Sequence, residues 1–178
     1  MDQNVSGLSS SVLQTAEADY PRVFELLRAS GWDETRHVAL PSEEETLGFV
    51  RHQYAEDFLQ HFYGIKVRRP VQMKDYVQYL GFDIELGPAL KRMDPPQASV
   101  YIDRIAGTSF VYPALIAGDL VVFLLEDGRA LGVDELFHGC VWTKTVFEMM
   151  HWILFQERMP GFKMCELTNE ERPLEYRT

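Results

Sequence analysis

The stretch LVVFLLEDGRALGV, residues 120–133, decides the fold because it joins two apolar runs through a tight-turn signal. Aspartate followed by glycine between apolar runs is typical of a β-hairpin, since both central residues of that turn adopt positive φ. A third apolar run precedes the stretch, and Gly118-Asp119 supplies the turn between them. The sequence therefore predicts an antiparallel meander with strands at 110–116, 120–125 and 129–133.

Apolar side chains at helical spacing flank this meander. Asp19 is predicted to cap a first helix that Gly31 ends, and Trp32 is predicted to pack the end of that helix against the sheet. Ser42 is predicted to cap a second helix that ends at Gly64. The remaining predicted helices lie at 98–106 and at 146–154, the latter capped by Thr143.

Shorter apolar segments complete the predicted sheet. They lie at 36–40, 65–67, 71–73, 82–86 and 137–142. The order of helices and strands predicts an α+β fold, a single domain with a mainly antiparallel twisted sheet and helices packed on one side. We expect a polar N-terminal extension, the α+β domain and a C-terminal tail, at 1–18, 19–158 and 159–178.

The chain is acidic, since 27 Asp and Glu against 17 Lys and Arg give a formal net charge of -10. Such a field repels phosphate backbones and attracts basic proteins, so no direct nucleic-acid binding is expected. The segment 63–93 carries a local excess of Lys and Arg, densest at Lys66, Arg68 and Arg69. On a strand these side chains are predicted to cover a solvated face or to pair with neighbouring acids.

The apolar runs are short, and the first residues are polar and serine-rich. No run approaches the roughly 20 apolar residues of a membrane helix, and the start does not resemble a secretory signal. We therefore expect a cytoplasmic protein without a membrane partner. Cys140 and Cys165 are widely spaced and lie outside any C-x-x-C pattern. They are predicted to be reduced thiols, and no metal or cofactor site is expected.

Catalytic residues are sought first at His138 and Cys140, because their spacing places both side chains on one face of a strand. A cysteine nucleophile also needs an adjacent base and a third orienting group, and the apolar neighbours of Cys140 favour a buried core residue. His52 and His61 lie too far apart on one predicted helix to form the histidine pair of a zinc protease. A catalytic role is therefore not expected, and a His/Cys-dependent enzyme is the least favoured alternative.

Four short motifs occur in the order that is seen in one known family. They are Leu27-Arg28-Ala29-Ser30-Gly31-Trp32 with Arg36, Phe58-Leu59-Gln60-His61-Phe62-Tyr63-Gly64, Tyr112-Pro113, and Asp127-Gly128-Arg129. By their order and spacing, the chain resembles the SUKH superfamily over about residues 20–154, and its third immunity-protein subfamily in particular. Tyr63 stands where a glycine is usual, and Ala130-Leu131 stands where an aromatic residue would follow.

The resemblance implies a non-catalytic immunity protein that binds and blocks a cognate bacterial toxin, of nuclease type and from a polymorphic or contact-dependent system. Such toxins have basic substrate clefts, so an acidic surface would steer docking. The residues predicted to bind the toxin are Glu43, Glu44, Glu45, Asp119, Glu126 and Asp127. The structural motif residues are Gly31, Trp32, Arg36, Gly64, Tyr112, Pro113, Asp127, Gly128 and Arg129. A regulatory or scaffold protein that acts by protein–protein interaction is the alternative from the wider superfamily.

Overall fold

Seven strands form one antiparallel sheet in which each strand lies beside the next along the chain. The computed structural model describes residues 8–41, 48–85, 87 and 98–172. The strands are β1 Lys66–Gln72, β2 Val77–Asp83, β3 Val111–Ala117, β4 Leu120–Leu125, β5 Ala130–Asp134, β6 Gly139–Thr143 and β7 Lys163–Glu166. The helices in the described residues are α1 Ser10–Asp19, α2 Pro21–Ala29, α3 Gln53–Phe62, α4 Ala98–Ala106 and α5 Val146–Phe155. The predicted α+β domain with an antiparallel sheet is confirmed.

The meander of β3, β4 and β5 has the strands and turns that the sequence predicts. Gly128 adopts a φ of 88° in the turn between β4 and β5, whereas Asp127 does not have a positive φ, so the hairpin is as predicted but the turn conformation is not. The side chains of residues 121–125 are all buried. Because successive side chains of a strand point to opposite faces, both faces of β4 are covered and the strand lies at the centre of the core.

The end of α2 is built as the sequence predicts. Gly31 adopts a φ of 95°, and the N–H of Trp32 donates to the carbonyl of Leu27 at 3.0 Å. The ring of Trp32 is 3% exposed and lies 5.2 Å from the ring of Phe24 and 5.4 Å from that of Phe62. The predicted packing role of Trp32 is confirmed.

The second predicted helix begins later than the sequence indicates. Gly48 has a φ of 87°, and residues 48–52 are not helical. His52 is the N-cap of α3, and its Nδ1 accepts a hydrogen bond from the N–H of Ala55 at 3.3 Å. The helical spacing of the apolar residues predicts that Val50 lies on the buried face of this helix, but its side chain is 61% exposed. The predicted cap, Ser42, lies outside the described residues.

The predicted strand at 36–40 is wrong. The N–H of Val38 donates to the carbonyl of Gln60 at 3.0 Å, and the carbonyl of Arg36 lies 3.1 Å from Nδ1 of His61. Residues 36, 38 and 40 are partly buried whereas 37 and 39 are exposed. The alternating pattern therefore belongs to an extended segment that lies against α3 rather than to a strand of the sheet.

Two predicted helix caps are also wrong. Asp19 is the last residue of α1, a helix within the predicted N-terminal extension that buries Leu13 and Ala16. Thr143 is not the cap of α5, because Oγ1 of Thr145 accepts the hydrogen bond from the N–H of Glu148 at 3.1 Å. Asp19 and Thr143 are residue types that favour a helix N-cap. The N-caps of the two helices nevertheless lie one and two residues later, at Tyr20 and Thr145.

The C-terminal tail adds β7 to the edge of the sheet and corrects the prediction for the cysteines. The register of β6 with β7 places Cys140 opposite Cys165, and the structure joins them in a disulfide. Their Cα atoms are 5.3 Å apart, a separation that a disulfide spans. The prediction of reduced thiols is wrong because 25 residues separate the two cysteines in sequence, and only the strand register brings them together.

The longest helices of the described chain, α1, α3 and α5, have 10 residues each. A transmembrane helix needs about 20 residues. Within the described ranges, no helix is long and apolar enough to cross a membrane.

His52 gives the stability of the fold a defined dependence on pH. Its ring is buried, and Nε2 lies 3.1 Å from the carbonyl of Leu124 while Nδ1 accepts from Ala55, so the site holds a neutral ring. Burial lowers the pKa of His52 below its ordinary value of 6.5. The unfolded chain therefore binds the proton first as the pH falls. The free energy of unfolding is expected to decrease as the pH falls through 6.5, by at most about 1.4 kcal/mol per pH unit.

Urea unfolding at a series of pH values measures this dependence. His52→Asn is the control, because asparagine is a good N-cap residue that does not titrate. The contribution of His52 should disappear in this variant, and superimposable pH profiles for the two proteins would contradict the assignment.

Candidate protein-binding surface

The hairpin formed by β1 and β2 projects beyond the rest of the sheet. The two strands pair with each other at seven positions, from Lys66↔Asp83 to Gln72↔Val77. In the described chain, β2 pairs with β3 at one position, Asp83↔Ile116, because β3 ends at Ala117. From Asp83 to Val77 the hairpin therefore extends about 20 Å past this last pairing, at about 3.3 Å per residue.

Large apolar side chains are exposed on the projecting part. Tyr79 is 63% exposed and Tyr76 is 60% exposed, and Val77 and Met73 are exposed as well. Aromatic residues and methionine are enriched in protein interfaces, and tyrosine is frequent among the residues that contribute most to binding. The projecting part of the hairpin thus has the residue composition of a protein interface. Its exposed apolar side chains are not covered by any other part of the described structure.

The base of the hairpin is held against α5. Nε of Arg69 donates to the carbonyl of Leu154 at 2.7 Å, and its guanidinium lies 4.9 Å from the centre of the Phe155 ring. Phe82, on the same face of the hairpin, is fully buried. These contacts fix the direction in which the hairpin leaves the sheet, so its exposed side chains are presented on a defined support.

An open cleft of about 250 Å³ lies where β2 and β3 diverge. Tyr79 and Gly81 line it from the hairpin, Leu120 lines it from the start of β4, and Trp152 lines it from α5. The cleft thus lies between the hairpin, β4 and the last turn of α5. It continues the exposed surface of the hairpin toward the body of the domain.

Three basic residues of the hairpin contact other groups of the chain, whereas Lys74 is exposed in the turn between β1 and β2. Nζ of Lys66 lies 2.7 Å from Oε1 of Glu85, and this hydrogen bond raises the pKa of Lys66. Arg68 pairs with the carboxylate of Asp83. The prediction that these cations pair with neighbouring acids is confirmed for Lys66 and Arg68, and Arg69 serves as the anchor to α5.

Among the predicted toxin-binding acids that the structure describes, Asp119 is the one that lies near the hairpin. It is exposed in the turn between β3 and β4, whose neighbouring residues line the cleft. Its carbonyl accepts from the N–H of Glu135 at 2.9 Å, so the turn between β5 and β6 adjoins it. This second turn exposes Leu136. Asp119 therefore lies at the end of the sheet from which the hairpin projects.

Glu126 and Asp127 lie at the opposite end of β4, about 20 Å away along the strand. Oδ2 of Asp127 pairs with Nε of Arg129 at 2.7 Å. The guanidinium of Arg129 lies 5.3 Å from the centre of the Trp142 ring. Arg129 lines a cleft together with Lys144 and Lys163. The structure therefore does not bring these two acids together with Asp119, and their surroundings are basic.

The remaining predicted toxin-binding residues, Glu43, Glu44 and Glu45, lie outside the described residues. Among the described residues, the strand β4 separates Asp119 from Glu126 and Asp127, so these acids do not form one continuous surface. Their role in toxin binding stays a prediction.

The predicted structural motifs at the two helix ends meet in space. Nη2 of Arg36 donates to the carbonyl of Tyr63 at 2.7 Å, and Gly64 adopts a φ of 83° beside it. Trp32 packs on Phe62 in the last turn of α3. The residues Gly31, Trp32, Arg36 and Gly64 therefore join the end of α2 to the end of α3 rather than form a binding site.

Tyr112 and Pro113 belong to the interior of the sheet. Tyr112 is fully buried and its hydroxyl accepts from Nε and Nη2 of Arg51 at 3.3 and 3.2 Å. The register of β3 with β4 shifts directly after Pro113, which agrees with the missing N–H of proline. Gly128 packs under the ring of Tyr54, so this motif too connects elements of the core.

The residues weighed for catalysis do not form a catalytic group. Cys140 is bonded to Cys165 and cannot supply a thiolate, and His138 is exposed with Nδ1 3.7 Å from Oδ1 of Asp134. His52 caps α3, whereas His61 contacts the carbonyl of Arg36. Within the described ranges, no group of three or more His, Cys, Asp or Glu side chains is placed to hold a metal ion.

The sequence reasoning missed the exposed hairpin residues Tyr76 and Tyr79. It separated 65–67 from 71–73, although both lie in β1, and it placed the second strand at 82–86 rather than at Val77–Asp83. The missed signal is the polar pair Lys74-Asp75 between two segments that alternate in period 2.

No protein-family model, curated protein or solved structure matches this chain.

Proposed function

We propose that this chain is a non-catalytic immunity protein of the SUKH type, which binds a basic toxin protein and blocks it. The β1–β2 hairpin, with Tyr76, Tyr79 and the adjacent Asp119, forms the binding surface. The toxin is of nuclease type, and its basic cleft would be attracted by the acidic charge of this protein.

The observation that carries the proposal is the exposed hairpin itself. Tyr76, Val77 and Tyr79 are exposed to solvent on a two-stranded ribbon. Exposed groups of apolar side chains mark protein-interaction sites, where a partner buries them. Burial of two tyrosines at the centre of an interface supplies apolar area at a low entropic cost. Asp119 at the edge adds steering of a basic partner.

The test in cells uses the product of the adjacent gene as the toxin. We expect its expression alone to inhibit growth, and co-expression of this protein to restore growth and yield a one-to-one complex. A complex without rescue would favour a regulatory or scaffold protein. The absence of both a complex and rescue would overturn the proposal.

Tyr76→Ser combined with Tyr79→Ser is expected to weaken toxin binding by at least about 100-fold, because hot-spot residues contribute about 2 kcal/mol or more each and a 100-fold change corresponds to about 2.7 kcal/mol. Phe110→Ser is the matched control, since Phe110 is a 49% exposed aromatic residue at the start of β3, away from the hairpin. Isothermal titration calorimetry measures all three affinities. Equal losses in the hairpin and control variants would remove the hairpin from the interface.

The substitutions Asp119→Lys and Asp127→Lys test which end of β4 lies near the bound toxin. Both reverse an exposed turn carboxylate, but only Asp119 adjoins the hairpin. We expect Asp119→Lys to slow association with the toxin about tenfold at low salt, with a smaller effect at high salt. Stopped-flow measurements should show nearly unchanged association for Asp127→Lys, and the reverse order of effects would place the toxin at the other end.

The cytoplasm is the location that we propose together with this function. Disulfides are rare in the reducing cytoplasm. The Cys140–Cys165 disulfide therefore favours an oxidising compartment, whereas the proposed function favours the cytoplasm. Alkylation of intact cells before lysis distinguishes them. Two alkylated cysteines would support the cytoplasm, and an unmodified disulfide would place the protein in an oxidising compartment.

A further inference from the structure

Within the described part of the chain, one edge of β2 has backbone groups without a strand partner. The hydrogen bonds from the N–H of Ile84 to the carbonyl of Ile65 and from the N–H of Met73 to the carbonyl of Tyr76 mark the two ends of the β1–β2 ladder. In an antiparallel pair, hydrogen-bonded positions alternate with positions whose N–H and C=O point away from the partner. Counting between the two ends, Gln78, Leu80 and Phe82 bond to β1. The positions that point away from β1 are Val77, Tyr79, Gly81 and Asp83.

At Asp83 these outward groups face β3, in agreement with the pairing of Asp83 with Ile116. At Gly81, Tyr79 and Val77 they face the place that β3 would occupy if it continued. Instead β3 ends at Ala117, and the cleft lined by Tyr79, Gly81 and Trp152 occupies this place. The sheet is therefore interrupted beside a strand that is still extended and still presents donors and acceptors.

The outer edge of the hairpin is protected in a way that this inner edge is not. Pro70 lies opposite Tyr79 in the register, so it occupies a position of β1 whose N–H would point outward, and proline has none. Proline and charged side chains on an edge strand are common means of preventing further strand pairing. The corresponding inner positions are Val77, Tyr79 and Gly81, which carry neither.

We propose that an extended segment of the toxin adds to β2 as a further strand, in the gap above the turn between β3 and β4. Its backbone pairs with Val77, Tyr79 and Gly81, antiparallel to β2. This inference rests on the proposed function and specifies how the same surface is used. Strand addition to an open edge takes its affinity from main-chain hydrogen bonds and its specificity from pockets for alternate side chains.

The cleft indicates which side chains the added strand carries. Trp152 lines the cleft from α5 and offers aromatic surface to a side chain that enters it, and Asp119 adjoins the cleft with an exposed carboxylate. Arginine combines a guanidinium that stacks on aromatic rings with donors for a carboxylate. An arginine in the added strand fits this cleft, in accord with a basic toxin.

Amide hydrogen exchange of the free protein, followed by NMR, is the first test. The amides of Val77, Tyr79 and Gly81 should exchange at least about tenfold faster than those of Gln78, Leu80 and Phe82, since only the latter are bonded to β1. Equal protection at all six positions would overturn the proposal, because the edge would already be occupied. Protection that grows with protein concentration would identify a second copy as the occupant and would also overturn it.

The same measurement on the complex with the product of the adjacent gene separates this inference from the proposed function. Protection of Val77, Tyr79 and Gly81 on binding supports strand addition. A tight complex that leaves these three amides unprotected overturns strand addition while the immunity function stands. A third outcome is alternating exchange in the free protein without any complex. The edge of β2 would then be open, but the toxin would not be its occupant, which also overturns the proposal.

A pair of variants at one position isolates the backbone. Tyr79→Ser removes the ring and keeps the N–H, whereas Tyr79→Pro removes both and leaves the hydrogen bonds of β1 with β2 in place. We expect Tyr79→Pro to bind the adjacent gene product at least about tenfold more weakly than Tyr79→Ser, as the loss of a main-chain hydrogen bond requires. Thermal unfolding of both variants controls for folding, and equal affinities of two folded variants would contradict backbone pairing.

Discussion

Trp32→Ala is expected to lower the free energy of unfolding by about 3–5 kcal/mol, the range for removing a large buried aromatic side chain. The indole is nearly fully buried and packs on Phe24 at 5.2 Å and on Phe62 at 5.4 Å. Phe62 in turn contacts Phe58 and Phe147. The cavity would therefore open where α2, α3 and α5 meet, and chemical denaturation measures the loss.

Trp32→Phe is the control for this prediction. Nε1 of Trp32 is buried and has no hydrogen-bond partner among the described residues. Phenylalanine keeps most of the packing and removes a donor whose burial costs about 1–3 kcal/mol, so this variant should lie within about 1 kcal/mol of the wild type. A ligand-binding role would show the opposite order, with folding nearly unchanged in Trp32→Ala.

Reduction of the Cys140–Cys165 disulfide is expected to lower the free energy of unfolding by about 3 kcal/mol, mainly because the unfolded chain gains freedom. The bond closes a loop between residues 25 apart, and it secures β7, whose side chains are all exposed. Exposed strands have little apolar burial to hold them in place. Urea unfolding with and without a reducing agent measures the difference.

The control for the disulfide is Cys140→Ser combined with Cys165→Ser. This variant should match the reduced wild type in stability, apart from the cost of a serine at the buried position 140, and should not respond to reducing agent. An oxidised wild type that is no more stable than the reduced protein would contradict the prediction.

Local signals were enough to predict the central part of the fold. The strands β3 to β5 follow from apolar runs that are bounded by clear turn residues, and the helix α5 follows from apolar residues at helical spacing, although its cap was placed two residues too early. Gly31 and Gly64 were recognised as helix ends because positive φ strongly favours glycine. These features depend on neighbours in the sequence.

Features that depend on distant partners could not be predicted in this way. The alternation at 36–40 was correct, but it reflects packing on α3, and a period of two does not reveal whether the partner is a strand or a helix. The pairing of Cys140 with Cys165 depends on the register of β6 with β7. A single sequence carries no separate signal for such a register.

The candidate binding surface was the hardest part to predict from the sequence. The acidic residues were grouped by their charge in the sequence. In the structure, the full length of β4 separates Asp119 from Asp127. The exposure of Tyr76 and Tyr79 follows from the early end of β3, which leaves β2 without a neighbour. Only the three-dimensional strand lengths show this.

Calorimetric titration of the wild-type protein with the purified product of the adjacent gene tests the central claim most directly. The account predicts a one-to-one complex that the combined Tyr76→Ser and Tyr79→Ser substitutions weaken by at least about 100-fold, while Phe110→Ser leaves it unchanged. The absence of heat of binding to the folded wild type, or a complex that tolerates loss of both tyrosines, would contradict it.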